Sequence, residues 1–367
     1  MFLKNAWYIA AEPAEMEAGI ISRTLLNEAL AIFRTESGML AAVEDRCPHR
    51  LVPLSIGRVV GETLQCGYHG AAFNTSGQCV RIPGQDKVPS TVCVRSYPVV
   101  EKHGYIWVWM GDPALSNDQS SIPDGYWPSG SSEWYGGYGL IPSLKTDYRL
   151  LNDNVIDITH AEFVHPDTLG GEEGQLFRKA RRSDEYMEGG ITFSIRDRSI
   201  QFRMKFSNVG KDSSALIRQM VADSKGLENY EDDIELRLEV DWWSPCHTRF
   251  MIGARPSNEP DAPLSQMCNL HSGTPETETT THYFYRSMRN TGNPANAAIV
   301  QQMADYIFGQ DKPVLEAQQR KIGNNDLFDL NPISFAGDRL PMEARRILSK
   351  MIGEQALVNE PQLVNSI

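Results

Sequence analysis

The most informative absences in this sequence are those of long apolar runs, basic charge and a leader segment. The longest apolar runs, Tyr105–Met110 among them, are six residues long, whereas a membrane-spanning helix needs about 20. The first residues lack the basic start and the long apolar core of a secretory signal. Asp and Glu outnumber Lys and Arg by 47 to 35, which argues against binding to nucleic acid or to an anionic membrane. We therefore expect a cytoplasmic protein with neither kind of partner.

Cysteine is also scarce, with six residues in a chain of 367. A disulfide framework is typical of small secreted domains and is not expected in a chain this long. Four of the six cysteines show no paired spacing, and we expect them to be reduced and to pack as small hydrophobic residues. These four are Cys79, Cys93, Cys246 and Cys268.

The other two cysteines each lie beside a histidine, in the segments Cys47–His49 and Cys66–His69, which sixteen residues separate. Zinc accepts two Cys and two His, but its ligands are usually spaced C-x2-4-C and H-x3-5-H. Here each segment supplies one Cys and one His, which is the ligand layout of a Rieske [2Fe–2S] cluster. Its two imidazoles raise the reduction potential, which suits electron acceptance from a plant-type iron–sulfur carrier. Zinc and two unrelated Cys–His pairs are the alternatives.

The residues around these ligands resemble the Rieske oxygenase family. Arg50 follows the first pair, and Gly70 and Phe73 follow the second, in CPHR and CGYHGAAF. Respiratory-chain Rieske proteins carry an additional cysteine in each loop, and neither loop has one here. The resemblance is therefore to the oxygenase and ferredoxin type. Ala71 departs from the family pattern, in which a larger residue is common at this position. This difference concerns local packing and not the ligation of the cluster.

Short β-type runs separated by turn residues dominate residues 1–115 and predict a small all-β domain with the cluster loops at one end. Residues 1–25 could instead pack on a second domain. Residues 116–133 are rich in Ser, Pro, Gly, Asn and Asp, which indicates a linker.

Residues 134–367 form the predicted second domain. A first helix is expected from Tyr148 to about Glu162, followed by several β-type segments, of which 235–242 alternates strictly between apolar and polar residues. Helical patterns at 296–322 and near 342–352 close the chain. The expected fold class is therefore α+β.

His160 and His165 indicate a second metal site. Five steps along a regular helix turn the chain by roughly 140° beyond a full circle, so both rings cannot lie on one face. Pro166 disfavours helical geometry at His165, and the chain can then bend back and bring both imidazoles to one ion. From the residues alone, two buried structural histidines remain the alternative. The pattern Asp157-x2-His160-x4-His165 resembles the iron site of Rieske oxygenases.

The resemblance also implies the third ligand of that site. Two histidines and one carboxylate hold Fe(II) and leave positions open for O2 and substrate. In the family the carboxylate comes from a late helix, and the matching residue in the stretch 310–316 is Asp311. Glu316 and Asp305 are the rivals. Taken alone, Asp311 would be an ordinary acidic residue at a helix start, where the helix dipole favours it.

Similarity to the family covers most of the chain and is nearest to the aromatic O-demethylases of the vanillate O-demethylase and dicamba monooxygenase group. The segments Asn5–Ala10, Pro98–Trp109 and Thr274–Thr277 carry it. The resemblance implies a Rieske domain followed by a catalytic domain with an antiparallel sheet wrapped by helices, of the helix-grip type. It also implies a homotrimer and a separate NAD(P)H reductase that carries flavin and its own iron–sulfur cluster. The chain has no G-x-G-x-x-G motif and no further cysteine cluster, so it needs such an external donor.

The implied activity is O-demethylation of a small methoxylated aromatic acid with O2. Aromatic ring hydroxylation, mono- or cis-di-, is the alternative, because the same iron site serves both reactions. A pure electron carrier is a third hypothesis. It would need only about 110 residues, and the rest of the chain would then have no role.

Two further residues have predicted roles in the site. Asp157 lies one helical turn before His160, where its carboxylate can bond the ring N–H of a metal-bound imidazole. The resemblance adds that the matching Asp also bonds a cluster ligand, here His69 of the partner subunit. His271 aligns with a pocket histidine of the dicamba-type enzymes and is the predicted substrate contact.

The sequence leaves two local questions open. Trp242 and Trp243 could wall an aromatic pocket, but strand alternation lets only one of them face inward. The polar segment 206–232 could be a lid over the substrate or a mobile loop.

Overall fold

The computed structural model describes residues 2–117, 119, 122–128, 134–169, 192–210, 215–335 and 338–359. The chain forms two compact units. The N-terminal unit is Met1–Ile122 with Thr274–Glu278, and the C-terminal unit is Pro123–Gly273 with Thr279–Ile367. The linker predicted for residues 116–133 lies partly outside the described residues.

The described part of the N-terminal unit is built from short strands, as its many turn residues predict. The strands are β1 (Ala6–Ala11), β2 (Ile21–Leu25), β3 (Glu28–Arg34), β4 (Leu40–Glu44), β5 (Arg58–Val60), β6 (Thr63–Gln65), β7 (Ala72–Asn74), β8 (Cys79–Arg81), β9 (Ser96–Tyr97), β10 (Val99–Lys102) and β11 (Tyr105–Met110). They form three antiparallel sheets with the strand orders β1-β11-β10, β2-β3-β4-β9 and β5-β6-β7-β8.

The segment Thr274–Glu278, distant in sequence, belongs to this unit and contacts its first residues. The Thr274 hydroxyl donates to the carbonyl of Ile9 at 2.7 Å, and the Leu26 N–H donates to the carbonyl of Pro275 at 2.9 Å. Strand β1 itself is buried along its whole length and pairs with β11.

The C-terminal unit contains one seven-stranded sheet in the order β12-β18-β17-β16-β15-β14-β13. The strand-type segments predicted from the sequence all lie in it, and β12 was missed because glycine and proline interrupt its sequence YGGYGLIPSL. Its strands are β12 (Tyr135–Leu144), β13 (Thr192–Arg196), β14 (Ser199–Val209), β15 (Ile234–Trp243), β16 (His247–Pro256), β17 (Ser265–Thr277) and β18 (Thr280–Arg289).

Five α-helices are described in this unit: α1 (Tyr148–Ile156), α2 (Ala161–Val164), α3 (Ala215–Lys225), α4 (Ala297–Ile322) and α5 (Arg339–Asn359). The small all-β unit followed by an antiparallel sheet with helices confirms the predicted α+β class. None of the described helices is both long and apolar enough to cross a membrane.

Helix α4 packs against β12 and β18. The buried cluster between them includes Tyr283, Tyr285, Ile307, Phe308 and Leu315. This packing fixes the helix against the inner face of the sheet, and helix and sheet together form the walls of the site described next.

Candidate metal centres and active site

The two cluster segments fold into loops of the same backbone form. In each loop the cysteine N–H donates to the carbonyl five residues later, at 2.9 Å for Cys47 and 2.8 Å for Cys66. The cysteine carbonyl accepts from the N–H four residues later, at 2.9 Å in the first loop and 3.1 Å in the second. That fourth residue is left-handed in both loops, with φ 60° at Leu51 and 74° at Gly70. The ligands are therefore presented from two equivalent backbone frames.

The four predicted cluster ligands divide by burial into two pairs. Cys47 and Cys66 are buried in the core of the unit, whereas His49 and His69 are exposed, with ring centroids 4.6 Å apart. Zinc would draw four ligand atoms around one point. A buried thiol pair and an exposed imidazole pair fit the two irons of a Rieske cluster.

Asp45 anchors the first loop, and the sequence reading did not identify it. Its carboxylate accepts from the Ser55 N–H at 2.7 Å and from the Ser55 hydroxyl at 2.6 Å. It also accepts from the Ser22 hydroxyl at 2.9 Å. Because this carboxylate is buried and fully engaged, it ties the loop to strand β2.

The chain does not continue as one helix through the histidine motif. Helix α1 ends before Asp157, which is extended at φ −89° and ψ 104°, and whose carboxylate caps the next turn by accepting from the Thr159 N–H at 2.8 Å. A 3-10 turn, Ile158–His160, and α2 follow. The prediction of one helix to about residue 162 was therefore wrong. His165 leaves the helical region at φ −118° and ψ 50°, as Pro166 predicts.

The bend brings both histidines to one carboxylate from α4. The Nε2 atoms of His160 and His165 each lie 3.4 Å from Oδ1 of Asp311, and the three ligand atoms are all within 4.8 Å of one another. Asp311 is in the helix interior and 4% exposed, so the helix-start description of it was wrong. Two imidazoles and one carboxylate on one side of an open cavity fit a mononuclear Fe(II) site.

The charges in this site favour a bound cation. Burial alone would raise the pKa of the Asp311 carboxyl, but hydrogen bonds from the two imidazoles keep that pKa well below its usual range. Burial would lower the pKa of the His160 imidazole, but the neighbouring Asp311 carboxylate outweighs this effect and raises that pKa. The carboxylate is therefore anionic at neutral pH.

Each histidine is oriented through its other ring nitrogen. His165 Nδ1 lies 2.9 Å from the Oε1 atom of Gln310. His160 Nδ1 contacts the backbone carbonyl of Asp157, whereas the sequence predicted the Asp157 carboxylate in this place. Acceptors at Nδ1 hold the tautomer whose Nε2 is free to bind a metal.

Asn154 completes the surroundings of the triad, donating from Nδ2 to Oδ1 of Asp311 at 3.0 Å. Neither Asn154 nor Gln310 was identified from the sequence. The only sign of Gln310 in the sequence was its position next to Asp311, a predicted ligand. The rivals Glu316 and Asp305 are engaged elsewhere: Glu316 accepts from Lys312 at 2.6 Å, and Asp305 accepts from the Tyr285 hydroxyl at 2.7 Å.

The triad opens on a cavity within the C-terminal unit, whose lining encloses about 830 Å³ including space open to solvent. Most of its wall is apolar, from helices α1 and α3 and from the sheet. Polar groups other than the triad and its neighbours are few, and they are Asn269, His271 and Tyr283. The apolar wall includes Val155, Leu169, Ile217, Leu236, Phe250 and Phe308.

His271 lies in this wall, as predicted. Its Nδ1 is 2.8 Å from the Tyr283 hydroxyl, and burial lowers its pKa to about 3. The imidazole is therefore neutral at physiological pH and can offer a hydrogen bond but no charge.

The structure also bears on the two local questions that the sequence left open, the tryptophan pair and the segment 206–232. Trp242 is 1% exposed and Trp243 is half-buried against Tyr126, so strand alternation holds. Neither is among the described residues that line the cavity. The segment 206–232 contains the end of β14 and helix α3, whose Ile217 reaches the cavity; its residues 211–214 lie outside the described ranges.

Comparisons with known proteins agree with these centres. Residues 6–98 match the Rieske [2Fe-2S] domain, and residues 144–354 match the vanillate O-demethylase oxygenase C-terminal domain. The chain is 33% identical to a putative toluene-4-sulfonate monooxygenase system iron-sulfur subunit of Comamonas testosteroni, over 96% of this chain and 97% of that protein. It is 33% identical to the dicamba O-demethylase oxygenase component of Stenotrophomonas maltophilia, over 95% and 98%. A crystal structure of dicamba monooxygenase with non-heme iron and dicamba superposes with a TM-score of 0.77 at 31% identity, over 97% and 99%.

Proposed function

Because this chain belongs to the Rieske oxygenases that carry a vanillate O-demethylase oxygenase C-terminal domain, we propose that it O-demethylates a small methoxylated aromatic acid in the cytoplasm. One oxygen atom of O2 enters the methyl carbon, and the other leaves as water with two electrons and two protons. The resulting hemiacetal separates into a phenol and formaldehyde. The electrons come from NAD(P)H through a separate reductase that carries flavin and an iron–sulfur cluster.

The observation that carries the proposal is the position of the triad in the wall of a largely apolar cavity. Cys47, His49, Cys66 and His69 would hold the cluster, and His160, His165 and Asp311 the mononuclear iron. When bound, the cluster supplies single electrons and the iron supplies the activation of O2. The apolar walls bind an aromatic ring and exclude water from the reacting carbon.

His271 is proposed to orient the substrate. Within the described residues its ring makes one hydrogen bond, to Tyr283, which leaves the other ring nitrogen for the ligand. We expect His271→Ala to raise KM while both metal centres stay loaded, measured by steady-state kinetics and iron content. Loss of iron in this variant would indicate a structural role instead.

Formaldehyde release from a panel of methoxybenzoates tests the reaction class. We expect stoichiometric formaldehyde and phenol for at least one member, in the presence of a reductase and NADH. Ring-hydroxylated products without formaldehyde would favour ring hydroxylation. Toluene-4-sulfonate belongs in the panel, because a hydroxymethyl product would show oxidation of a ring-bound methyl group rather than O-demethylation.

The proposal includes a homotrimer in which Asp157 links the two kinds of centre between chains. The Oδ1 atom of Asp157 accepts from the Thr159 N–H and hydroxyl, at 2.8 and 2.7 Å. Among the described residues its Oδ2 atom has no hydrogen bond. His69 is exposed, so it is available to a neighbour. In the trimer, Oδ2 would accept from His69 of the partner subunit.

Asp157→Asn tests this link sharply, because asparagine keeps the Oδ1 acceptor that caps the turn. We expect both centres to load and the cluster to be reduced, while transfer of that electron fails and turnover collapses. Sedimentation should give a trimer for both proteins. Near-normal turnover with both centres intact would contradict the role of Asp157.

A further inference from the structure

A second cavity adjoins the active-site cavity in the C-terminal unit. Its lining encloses about 310 Å³, including space open to solvent, and it shares Leu169, Asn269 and Phe308 with the larger cavity. Val300 and Ala304, in the first half of helix α4, form its opposite wall. The second cavity therefore lies next to the first, towards the start of helix α4.

Three polar side chains line this second cavity. Ser287 and Arg289 are two residues apart on β18 and so lie on one face of the strand. Asn269 lies on β17 and is 8% exposed. The Nε–H donor of Arg289 is buried and has no hydrogen-bond partner in the described ranges. The Oδ1 atom of Asn269 is also buried without a partner there, but it is an acceptor and needs a donor, such as a water molecule, rather than an anion. Unsatisfied buried polar groups are costly and indicate a missing partner.

The charge of Arg289 is only partly balanced by its surroundings. Asp223 and Tyr135 influence it electrostatically, but among the described residues Arg289 forms no ion pair. Asp223 accepts a hydrogen bond from Gln219 at 2.8 Å, and the Tyr135 hydroxyl donates to the carbonyl of Thr291 at 2.6 Å. Burial lowers the pKa of the Arg289 guanidinium. A partly buried cation of this kind is stabilised by an anion that enters the cavity.

We propose that the second cavity holds the acid group of the substrate, a carboxylate or a sulfonate, against Arg289. The Ser287 hydroxyl, in the same lining, can donate to this group. This inference rests on the proposed function, since it places the acid end of the substrate whose alkyl end meets the triad.

Helix α4 lines both cavities and gives a scale for the distance between them. Ala304 lines the second cavity, and Asp311 belongs to the triad seven residues later, which corresponds to about 10 Å along the helix. We therefore expect a substrate whose acid group and reacting carbon lie well apart. A substrate such as 4-methoxycinnamate meets this requirement, whereas 2-methoxybenzoate carries the two groups on adjacent ring carbons.

Equilibrium binding to the intact, iron-loaded protein tests the subsite without reference to turnover. The probes are 4-methoxycinnamate, its methyl ester and 2-methoxybenzoate, and calorimetry gives the Kd. Arg289→Gln should weaken the acid by at least about 10-fold, the effect of losing a charged hydrogen bond, and leave the ester unchanged. Arg289→Lys should restore part of the affinity. The matched control is Arg346→Gln, an exposed arginine on α5, which should bind every probe as the wild type does.

Three outcomes would overturn the subsite: equal weakening of acid and ester, equal affinity of the wild type for acid and ester, or tighter binding of 2-methoxybenzoate than of 4-methoxycinnamate. Failure of the proposed reaction would give a different result from failure of the subsite. If the acid binds through Arg289 but no formaldehyde appears, the subsite stands and O-demethylation is wrong. If formaldehyde is released by Arg289→Gln at unchanged KM, the reaction stands and the subsite is wrong.

Discussion

The two metal centres of this protein are held in place in different ways. The cluster loops are closed by backbone hydrogen bonds that repeat from one loop to the other, and their imidazoles are exposed. The iron triad is assembled from side chains of helix α4 and of the turn and bend that follow α1. Gln310 and Asn154 support it, also through side chains. The first centre depends on backbone conformation, whereas the second depends on the identity of particular neighbours.

Removal of a triad ligand should give the largest effect and separate the two centres. Asp311→Ala should lose the mononuclear iron and lower turnover by more than about 100-fold, beyond the usual effect of changing a supporting residue. The cluster absorption should not change, because its loops belong to the other unit. Iron analysis and visible spectra provide the measurement.

Asp305→Ala is the matched control for that change, since Asp305 is an exposed carboxylate in the same helix. It should keep its iron. Equal loss of iron in both variants would show that the helix, and not the Asp311 carboxylate, determines metal binding.

This contrast also explains what could be predicted from the sequence. The cluster ligands lie within two short segments, so local spacing alone indicated them. His165 and Gln310 are 145 positions apart, and no local pattern joins them. Asp311 was predicted because the chain resembles a family, whereas Gln310 and Asn154 were missed because their contacts arise only when helix α4 meets α1 and the histidine bend. Helix α3 was missed because its polar surroundings resembled a loop.

Burial of His271 should make the stability of the C-terminal unit depend on pH. His271 has a folded-state pKa of about 3 against about 6.5 when unfolded. Its neutral form therefore stabilises the fold fully above pH 6.5, and this contribution is lost as the pH falls towards 3. From pH 7 to pH 5 the loss should be about 2 kcal/mol. His271→Gln should remove that part of the pH dependence, measured by denaturant unfolding at both pH values. An unchanged difference between pH 7 and pH 5 would contradict the assignment.

Gln310 should have a smaller effect, confined to the triad. Gln310→Ala removes the acceptor at His165 Nδ1 and should weaken iron binding by about 10-fold. Gln310→Glu keeps an acceptor and should stay near the wild-type affinity. Chelator competition followed by iron analysis gives these affinities.

Gln301→Ala is the control for Gln310, because Gln301 is in the same helix but contacts Asp305 instead. It should bind iron as the wild type does. Weaker iron binding in the control, or none of the expected loss in Gln310→Ala, would show that His165 is oriented by packing.

The smallest expected effect concerns the cluster loops, whose form depends on backbone conformation. Leu51 and Gly70 occupy the same left-handed position in the two cluster loops, but only glycine adopts it without strain. Leu51 is 65% exposed, so replacing it removes little buried surface. Relief of left-handed strain is worth about 1–2 kcal/mol, and the added freedom of glycine in the unfolded chain offsets about 0.5–1 kcal/mol. Leu51→Gly should therefore stabilise the loop by about 0.5–1 kcal/mol.

The reverse change completes the test. A Cβ at Gly70 would lie 3.1 Å from Cγ of Pro83 in addition to the left-handed strain, so Gly70→Ala should destabilise the same structure by about 1 kcal/mol or more. Both variants are compared by the temperature at which cluster absorption is lost, with the triad iron as an internal reference that should not change. If Leu51→Gly loses its cluster at a lower temperature than the wild type, then the leucine side chain, rather than the backbone it adopts, holds the first loop. The cluster would then depend on the identity of a neighbouring side chain, as the triad does.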